Sequence, residues 1–165
     1  MCNTVQSQAG ATACEACDYR QKSFLELSKE EICELMSPYE YELIDGGARI
    51  KAVKSGRDLS LRGAVGIPHF VTEISAYAFA GCKFLRRIDL PSGLRYIGEG
   101  AFCNCRDLFD VFIPSSVSYV GKGAFADCYD LSVICCGPKS ALEMWDSEWL
   151  YGSDARVEYS IGEFE

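Results

Sequence analysis

Histidine is nearly missing from this 165-residue chain, with His69 the only one. A base-plus-nucleophile arrangement would have to be built on that ring or on carboxylates, and the HExxH, GxSxG and SxxK spacings do not occur. That inventory argues against an enzyme. Cations are also few: 16 Lys and Arg stand against 24 Asp and Glu, for a formal net charge of −8. Affinity for phosphate comes from clustered Lys and Arg, so the balance argues against direct nucleic-acid binding and suits a basic protein partner better. No apolar run approaches the ~18 residues that span a bilayer. The first 24 residues carry no positive charge before Arg20 and no apolar stretch of ~7 residues, unlike a secretory signal. The expected location is cytoplasmic, or surface or secreted if the sequence is a trimmed mature form.

What is present is an ordinary globular composition, 48 % hydrophobic with a mean hydropathy of zero. A chain this long can bury about 70 % of its unfolded surface around one core and needs neither disulfides nor a metal to do so. Its ten cysteines lie below the roughly 8–10 % of residues that marks small disulfide scaffolds, and most are expected as free thiols.

Self-similarity organises the sequence. The segments PHFVTEISAYAFAGCKFLRRIDL, PSGLRYIGEGAFCNCRDLFDVFI and PSSVSYVGKGAFADCYDLSVICC align without a gap at a period of 23. Positions held in all three include Pro68/Pro91/Pro114, Ile74/Ile97/Val120, Phe79/Phe102/Phe125, Cys82/Cys105/Cys128, Leu85/Leu108/Leu131 and Ile88/Val111/Ile134. Each unit sets two short β-type stretches, such as Leu94 to Gly98 and Leu108 to Ile113, around an Ala-Phe-x-x-Cys turn. One unit cannot bury its apolar edge alone, so copies must stack through parallel ladders into a solenoid.

The pattern IPxxVxxIGxxAFxxCxxLxxIxI closely resembles the BspA-type, or Treponema-type, leucine-rich repeat family over about 70 residues, Ile67 to Cys136. Members of that family are mostly bacterial or protozoan surface proteins thought to bind host proteins or other cells, so the resemblance implies a binding module and no catalysis. The expected fold is α+β and mostly β: a short leucine-rich-repeat solenoid of about three 23-residue units with helical N- and C-terminal caps. Residues 1–23 read as a flexible tail, 24–61 as an N-terminal cap, 62–136 as the repeats and 137–165 as an acidic C-terminal cap.

Both caps carry start signals. Ser28-Lys-Glu-Glu31 is a capping box opening a helix that buries Ile32, Leu35 and Met36 and stops at Ser37-Pro38, and Asp45-Gly46-Gly47 reads as a turn between short strands. Ser140-Ala-Leu-Glu143 is a second box, and Leu142, Trp145 and Trp149 then fall on one face of a helix covering the last repeat.

The repeat also supplies an internal control: a residue found in every unit is structural, and a residue unique to one unit is a functional candidate. Cys82, Cys105 and Cys128 therefore read as a column of buried thiols about 4.8 Å apart, with parallel side chains that suit no disulfide. Cys14-Glu-Ala-Cys17 has the spacing of half a zinc site, which Cys2, Cys33 or His69 could complete; two incidental thiols, or a redox pair, are the competing readings. Cys103, Cys135 and Cys136 are further oxidisable positions, with Cys135 expected outward and Cys136 inward.

On the Leu-x-x-Ile-x-Leu strand, Arg86, Arg87 and Asp89 point to solvent, and the columns become Arg86/Phe109/Ser132, Arg87/Asp110/Val133 and Asp89/Phe112/Cys135. Phe109 and Phe112 are outward aromatics where neighbouring units are mostly polar or small, as interface anchors are; a cross-strand hydrophobic cluster is the alternative. Tyr96 and Tyr119 form a second outward ladder. Residues 137–165 hold two basic and seven acidic groups, so Glu143, Asp146 and Glu148 beside Trp145 and Trp149 mark the end a basic partner would meet.

A protein partner is thus the leading reading, with the chain a monomer or weak homodimer. The competing one is a small acidic intracellular inhibitor, for instance phage- or plasmid-encoded, that docks on a basic nucleic-acid-processing enzyme. No cofactor is expected beyond zinc at Cys14 and Cys17.

Overall fold

Ser28 caps a helix as its spacing predicts. Its Oγ accepts from the Glu31 amide at 3.2 Å while its own amide donates to Glu31 Oε2 at 2.7 Å, opening α1 (Lys29–Leu35). Ile32 and Met36 are buried and Leu35 is half-buried against them. The chain then forms the antiparallel hairpin of β1 (Tyr39–Ile44) and β2 (Gly47–Val53), turning at Asp45-Gly46 with Gly46 in the left-handed region, φ +79°. The computed structural model describes residues 22–54, 61–136 and 143–160. The reading of 1–23 as a flexible tail lies outside them except at Lys22 and Ser23, and the reading of Cys14 and Cys17 as a zinc pair lies wholly outside them.

From β2 through β9 every coil gives one strand to each of two sheets, and the closing coil adds a strand to the second alone. β3 (Gly63–Gly66), β4 (Val71–Ile74), β5 (Leu85–Asp89), β6 (Tyr96–Ile97), β7 (Asp110–Ile113), β8 (Tyr119–Val120), β9 (Ser132–Cys136) and β10 (Arg156–Ser160) complete the strands. The first sheet runs β1-β2-β4-β6-β8 and the second β10-β9-β7-β5-β3, parallel throughout except for the β1–β2 hairpin. The result is the expected β-solenoid, of about four turns. The strands of the first sheet are shorter than the sequence suggests: Leu94 to Gly98 shrinks to Tyr96–Ile97.

Between the sheets lie columns of identical side chains. Phe79, Phe102 and Phe125 are fully buried and stacked, with ring centroids 5.0 and 5.1 Å apart. The turns stack as well, since Phe79 N donates to Ala101 O at 2.8 Å and Phe102 N to Ala124 O at 2.7 Å. Two positions of each turn adopt left-handed backbone, Tyr77/Gly100/Gly123 and Gly81/Asn104/Asp127. Glycine and Asn/Asp tolerate that conformation and Tyr does not readily, so Tyr77 departs from its column. The cysteine column is buried as expected, with Cys105 Sγ donating to Phe79 O at 3.2 Å and Cys128 Sγ to Phe102 O at 3.3 Å.

The structure corrects two expectations. Residues 143–152 run as tight turns, and the described part of the C-terminal cap holds no α-helix. The reason is the open end of the stack: Gly123, Phe125 and Asp127 present amides that need partners, and Glu148, Trp149 and Tyr151 accept them with backbone carbonyls at 3.0, 2.9 and 3.3 Å. A helix would have turned those carbonyls inward. The segment is instead a degenerate last coil: Ser153 replaces the column cysteine, its Oγ donating to Phe125 O at 2.5 Å, and β10 pairs in parallel with β9.

The second correction concerns register. β9 pairs Val133 with Val111, one residue tighter than the Ile88–Val111 pairing of β5 and β7. Leu131, Ser132 and Val133 alternate in, out and in, whereas two outward residues separate Leu108 from Val111. Val133 is therefore buried, not part of an outward column; the Arg87/Asp110 column continues to Ser132, and in the ladder Phe112 pairs with the backbone of Ile134, not of Cys135. The side chains of Cys135 and Cys136 lie outside the described residues.

Candidate functional site

The second sheet presents the face on which the sequence places its partner-binding residues. Arg86, Arg87 and Asp89 are exposed on β5, and Phe109 and Phe112, 49 % and 37 % exposed, follow on the next coil. Phe109 N donates to Arg86 O and Ser132 N to Phe109 O, but Ser132 pairs with Asp110 in the ladder, so the expected Arg86/Phe109/Ser132 column ends at Phe109. Asp89 faces Phe112 across the ladder and Arg87 faces Asp110. Arg87 binds both acids, Nε to Asp89 Oδ1 at 2.9 Å and Nη1 to Asp110 Oδ2 at 3.4 Å. Pairs so exposed to water add little to stability, and they serve to orient the guanidinium. Arg86 has no ion pair among the described residues. Lower on the same flank Arg62 sits over the Phe84 ring at 4.6 Å, an aromatic contact the sequence reading missed.

The first sheet carries Tyr96 and Tyr119, both partly exposed, with rings 4.9 Å apart and 8° from parallel. Beside them Arg49 Nε binds Glu73 Oε2 at 2.6 Å and Arg49 Nη1 reaches Glu42 Oε2 at 3.3 Å. Arg49, Glu73, Ser75, Ala76 and Tyr96 line an open cleft of about 470 Å³. Next to it Tyr77 donates from its hydroxyl to Glu99 Oε1 at 2.6 Å, and its ring occupies the space a side chain at Gly100 would fill. The signal for this cluster was already in the alignment: Ser75 and Tyr77 stand where the other units have Gly98/Gly121 and Gly100/Gly123.

The closing coil differs most from its expected role. Trp145 is only 8 % exposed and packs edge-on against Trp149, 5.3 Å away, which in turn meets Phe125 edge-on at 5.9 Å. Both indoles thus end the aromatic column, and Trp145 is removed from any partner surface. Glu148 binds Lys122 at 2.5 Å, and Asp146 Oδ1 accepts from the Glu148 amide at 2.8 Å. Glu143 stays exposed beside Met144.

Thiol chemistry is suppressed in the core. Burial raises the Cys128 thiol to about 11 and the Cys105 thiol further still, so neither is a nucleophile near neutrality. Burial also raises the half-exposed Cys103, with Asp127 adding to it. His69 stands at the Pro68 corner, edge-on to Phe70. Among the described residues no three His, Cys, Asp or Glu side chains converge where a metal ion could be held.

Stacked parallel coils with a Leu-x-x-Ile ladder, an aromatic column and an Ala-Phe turn define a leucine-rich-repeat solenoid. The family model described as BspA type leucine rich repeat region matches residues 61–155 in six copies, and the chain belongs to that family. The match runs past Cys136 through the turns of the closing coil, in agreement with the hydrogen-bond ladder. Two solved structures are similar. A leucine-rich repeat protein of T. pallidum superposes with a TM-score of 0.60 at 23 % identity, over 73 % of this chain and 68 % of that one. One from Bacteroides capillosus gives 0.58 at 26 %, over 74 % and 94 %. No curated protein matches the sequence. Leucine-rich repeats are generally protein-interaction modules and non-enzymatic scaffolds.

Proposed function

We propose that this chain is a non-catalytic protein-binding module whose partner meets the second sheet at Phe109 and Phe112. The exposure of those two rings carries the reading: the recurrent phenylalanines Phe79, Phe102 and Phe125 are buried in the column, whereas these two stand outward beside an oriented Arg87 and an Arg86 that has no ion pair among the described residues. Five strands of about 17 Å at 4.8 Å spacing give a face on the order of 400 Å², half the ~800 Å² per partner of a standard interface. The flanks must contribute, or the complex is weak.

Partner capture on the immobilised chain tests the assignment. A protein retained by the wild type and by Tyr96→Ala, but lost on Phe109→Ala plus Phe112→Ala, supports it; equal retention by the double variant refutes it. Steering by the acidic end is a separate part of the reading. Neutralising Glu143, Asp146 and Glu148 slows association if the partner is basic, and the rate then falls with added salt. The inhibitor reading requires that salt dependence, and Glu148 already satisfies Lys122, which leaves Glu143 the freest of the three charges.

A further inference from the structure

The first sheet holds a small polar cleft that the protein-binding face does not use. It crosses three successive strands, with Arg49 on β2, Glu73 on β4 and Tyr96 on β6, and Ser75 and Ala76 close one end. Its volume of about 470 Å³ falls within the ~300–1,000 Å³ range of small-molecule sites. Tyr119 stacks on the Tyr96 ring, and Tyr96 lines the cleft.

Three features select a ligand. Arg49 is held between Glu42 and Glu73, two carboxylates to one guanidinium, so a free anion is repelled; a neutral ligand that both donates and accepts meets no such penalty. The Nε–Oε2 contact of 2.6 Å puts a fixed donor group and a fixed acceptor group side by side, with Arg49 Nη2 and Glu73 Oε1 left for a ligand among the described residues. Adjacent hydroxyls, each both donor and acceptor, match that pair. The Tyr96 ring adds one flat apolar wall whose rotation Tyr119 restricts, suited to the C–H face of a sugar ring. The cleft is also built from departures: Ser75 replaces a column glycine, and the Arg49–Glu73 pair has Tyr96 and Tyr119 in its place one and two coils later.

We propose that this cleft binds a neutral saccharide, one pyranose ring lying on Tyr96 with vicinal hydroxyls on Arg49 and Glu73. The open side leaves room for the rest of a glycan chain and limits affinity to dissociation constants on the order of 1 mM.

Saturation-transfer NMR on the full chain tests this with cellotriose, maltotriose, xylotriose, N,N′,N″-triacetylchitotriose, α-mannotriose and β-galactotriose, each to about 20 mM. At least one sugar is expected to receive saturation on one ring face. Tyr96→Ala and Glu73→Gln should each weaken it about tenfold. Phe109→Ala plus Phe112→Ala should leave it unchanged, which separates this site from the protein-binding face. Far-UV circular dichroism establishes that each variant is folded. Absence of transfer to all six sugars, or transfer undiminished in both Tyr96→Ala and Glu73→Gln, overturns the assignment.

Discussion

Phe102 and Phe109 lie seven positions apart in one repeat and are assigned opposite duties, which makes alanine replacement of each a sharp test. Phe102 is fully buried with a phenylalanine on either side, at 5.0 and 5.1 Å. Removing its ring costs about 3–5 kcal/mol, since the transfer free energy of the side chain is lost and the neighbours cannot close the gap within a stacked column. The two ring–ring contacts, about 0.5–1.5 kcal/mol each, place the value toward the upper end. Total stability for a domain of this size is about 5–15 kcal/mol, so this one change removes a third or more of it. Phe109 and Phe112 keep much of their surface in water, and the double alanine variant should cost no more than about 1 kcal/mol. Urea unfolding gives the readout. Both tryptophans, Trp145 and Trp149, lie in the closing coil, so fluorescence reports that end while far-UV circular dichroism reports the whole solenoid. In Phe102→Ala the midpoint falls, and the two signals separate because the ends of a repeat array couple only through the coils between them. A double Phe109/Phe112 variant as unstable as Phe102→Ala would refute the division between core ring and site ring.

Alkaline stability follows the buried acids. Burial raises Cys128 from 9.0 to about 11 and Tyr39 from 10.0 to about 12, so the folded state holds protons that the unfolded state releases. Their contribution is complete below pH 9 and is lost between about pH 9 and 12, at roughly 1.4 kcal/mol for each tenfold by which burial weakens the acid. Urea midpoints should fall across that window, and Cys128→Ser, which keeps a donor for Phe102 O as Ser153 does for Phe125 O, should fall less steeply. A flat profile to pH 11 would refute the burial argument. Gly98→Ala puts a methyl group 2.4 Å from the Ala76 amide nitrogen, a backbone atom of the preceding coil, and should destabilise by about 1–3 kcal/mol. Gly93→Ala, with its nearest neighbour 3.7 Å away, should be close to neutral in the same melt. Tyr77→Gly relieves a left-handed tyrosine but loses its bond to Glu99; a small rise in the urea midpoint is expected, and a fall would show that the ring over Gly100 matters more than the strain.

The solenoid was legible because its determinants are periodic. Proline corners, the phenylalanine column and the Ala-Phe-x-x-Cys turn each recur, and a ladder forces recurrence into register. What was illegible is what breaks the period. One residue fewer between Leu131 and the next inward side chain moved Val133 to the inside, and gapless alignment conceals such a slip because Ile134 is as apolar as Val133. The closing coil failed for another reason. Trp145 and Trp149 satisfy a helical spacing, but the amides of Gly123, Phe125 and Asp127 at the end of the stack demand carbonyl partners, and that demand is tertiary. Local pattern lost to backbone satisfaction, and Asp146 and Glu148 became turn residues with partners of their own.

The candidate surfaces were legible to the extent that they are departures from columns. Phe109 and Phe112 were visible as outward aromatics, and both stand exposed. Ser75 and Tyr77 were equally visible as replacements of glycine but draw attention only once the backbone shows what glycine does there: it lets coils approach at one position and turns left-handed at the other. A fold built from identical coils has no structural use for a strained tyrosine or for an Arg–Glu pair confined to its first coils. These exceptions fall on the two sheet faces, on either side of the shared core. The arrangement gives one short solenoid two independent surfaces, an aromatic one with exposed arginines and a polar one walled by a tyrosine. Substitutions on one should leave the other intact, because the column of Phe79, Phe102 and Phe125 between them has no polar group through which a change on either face could be relayed.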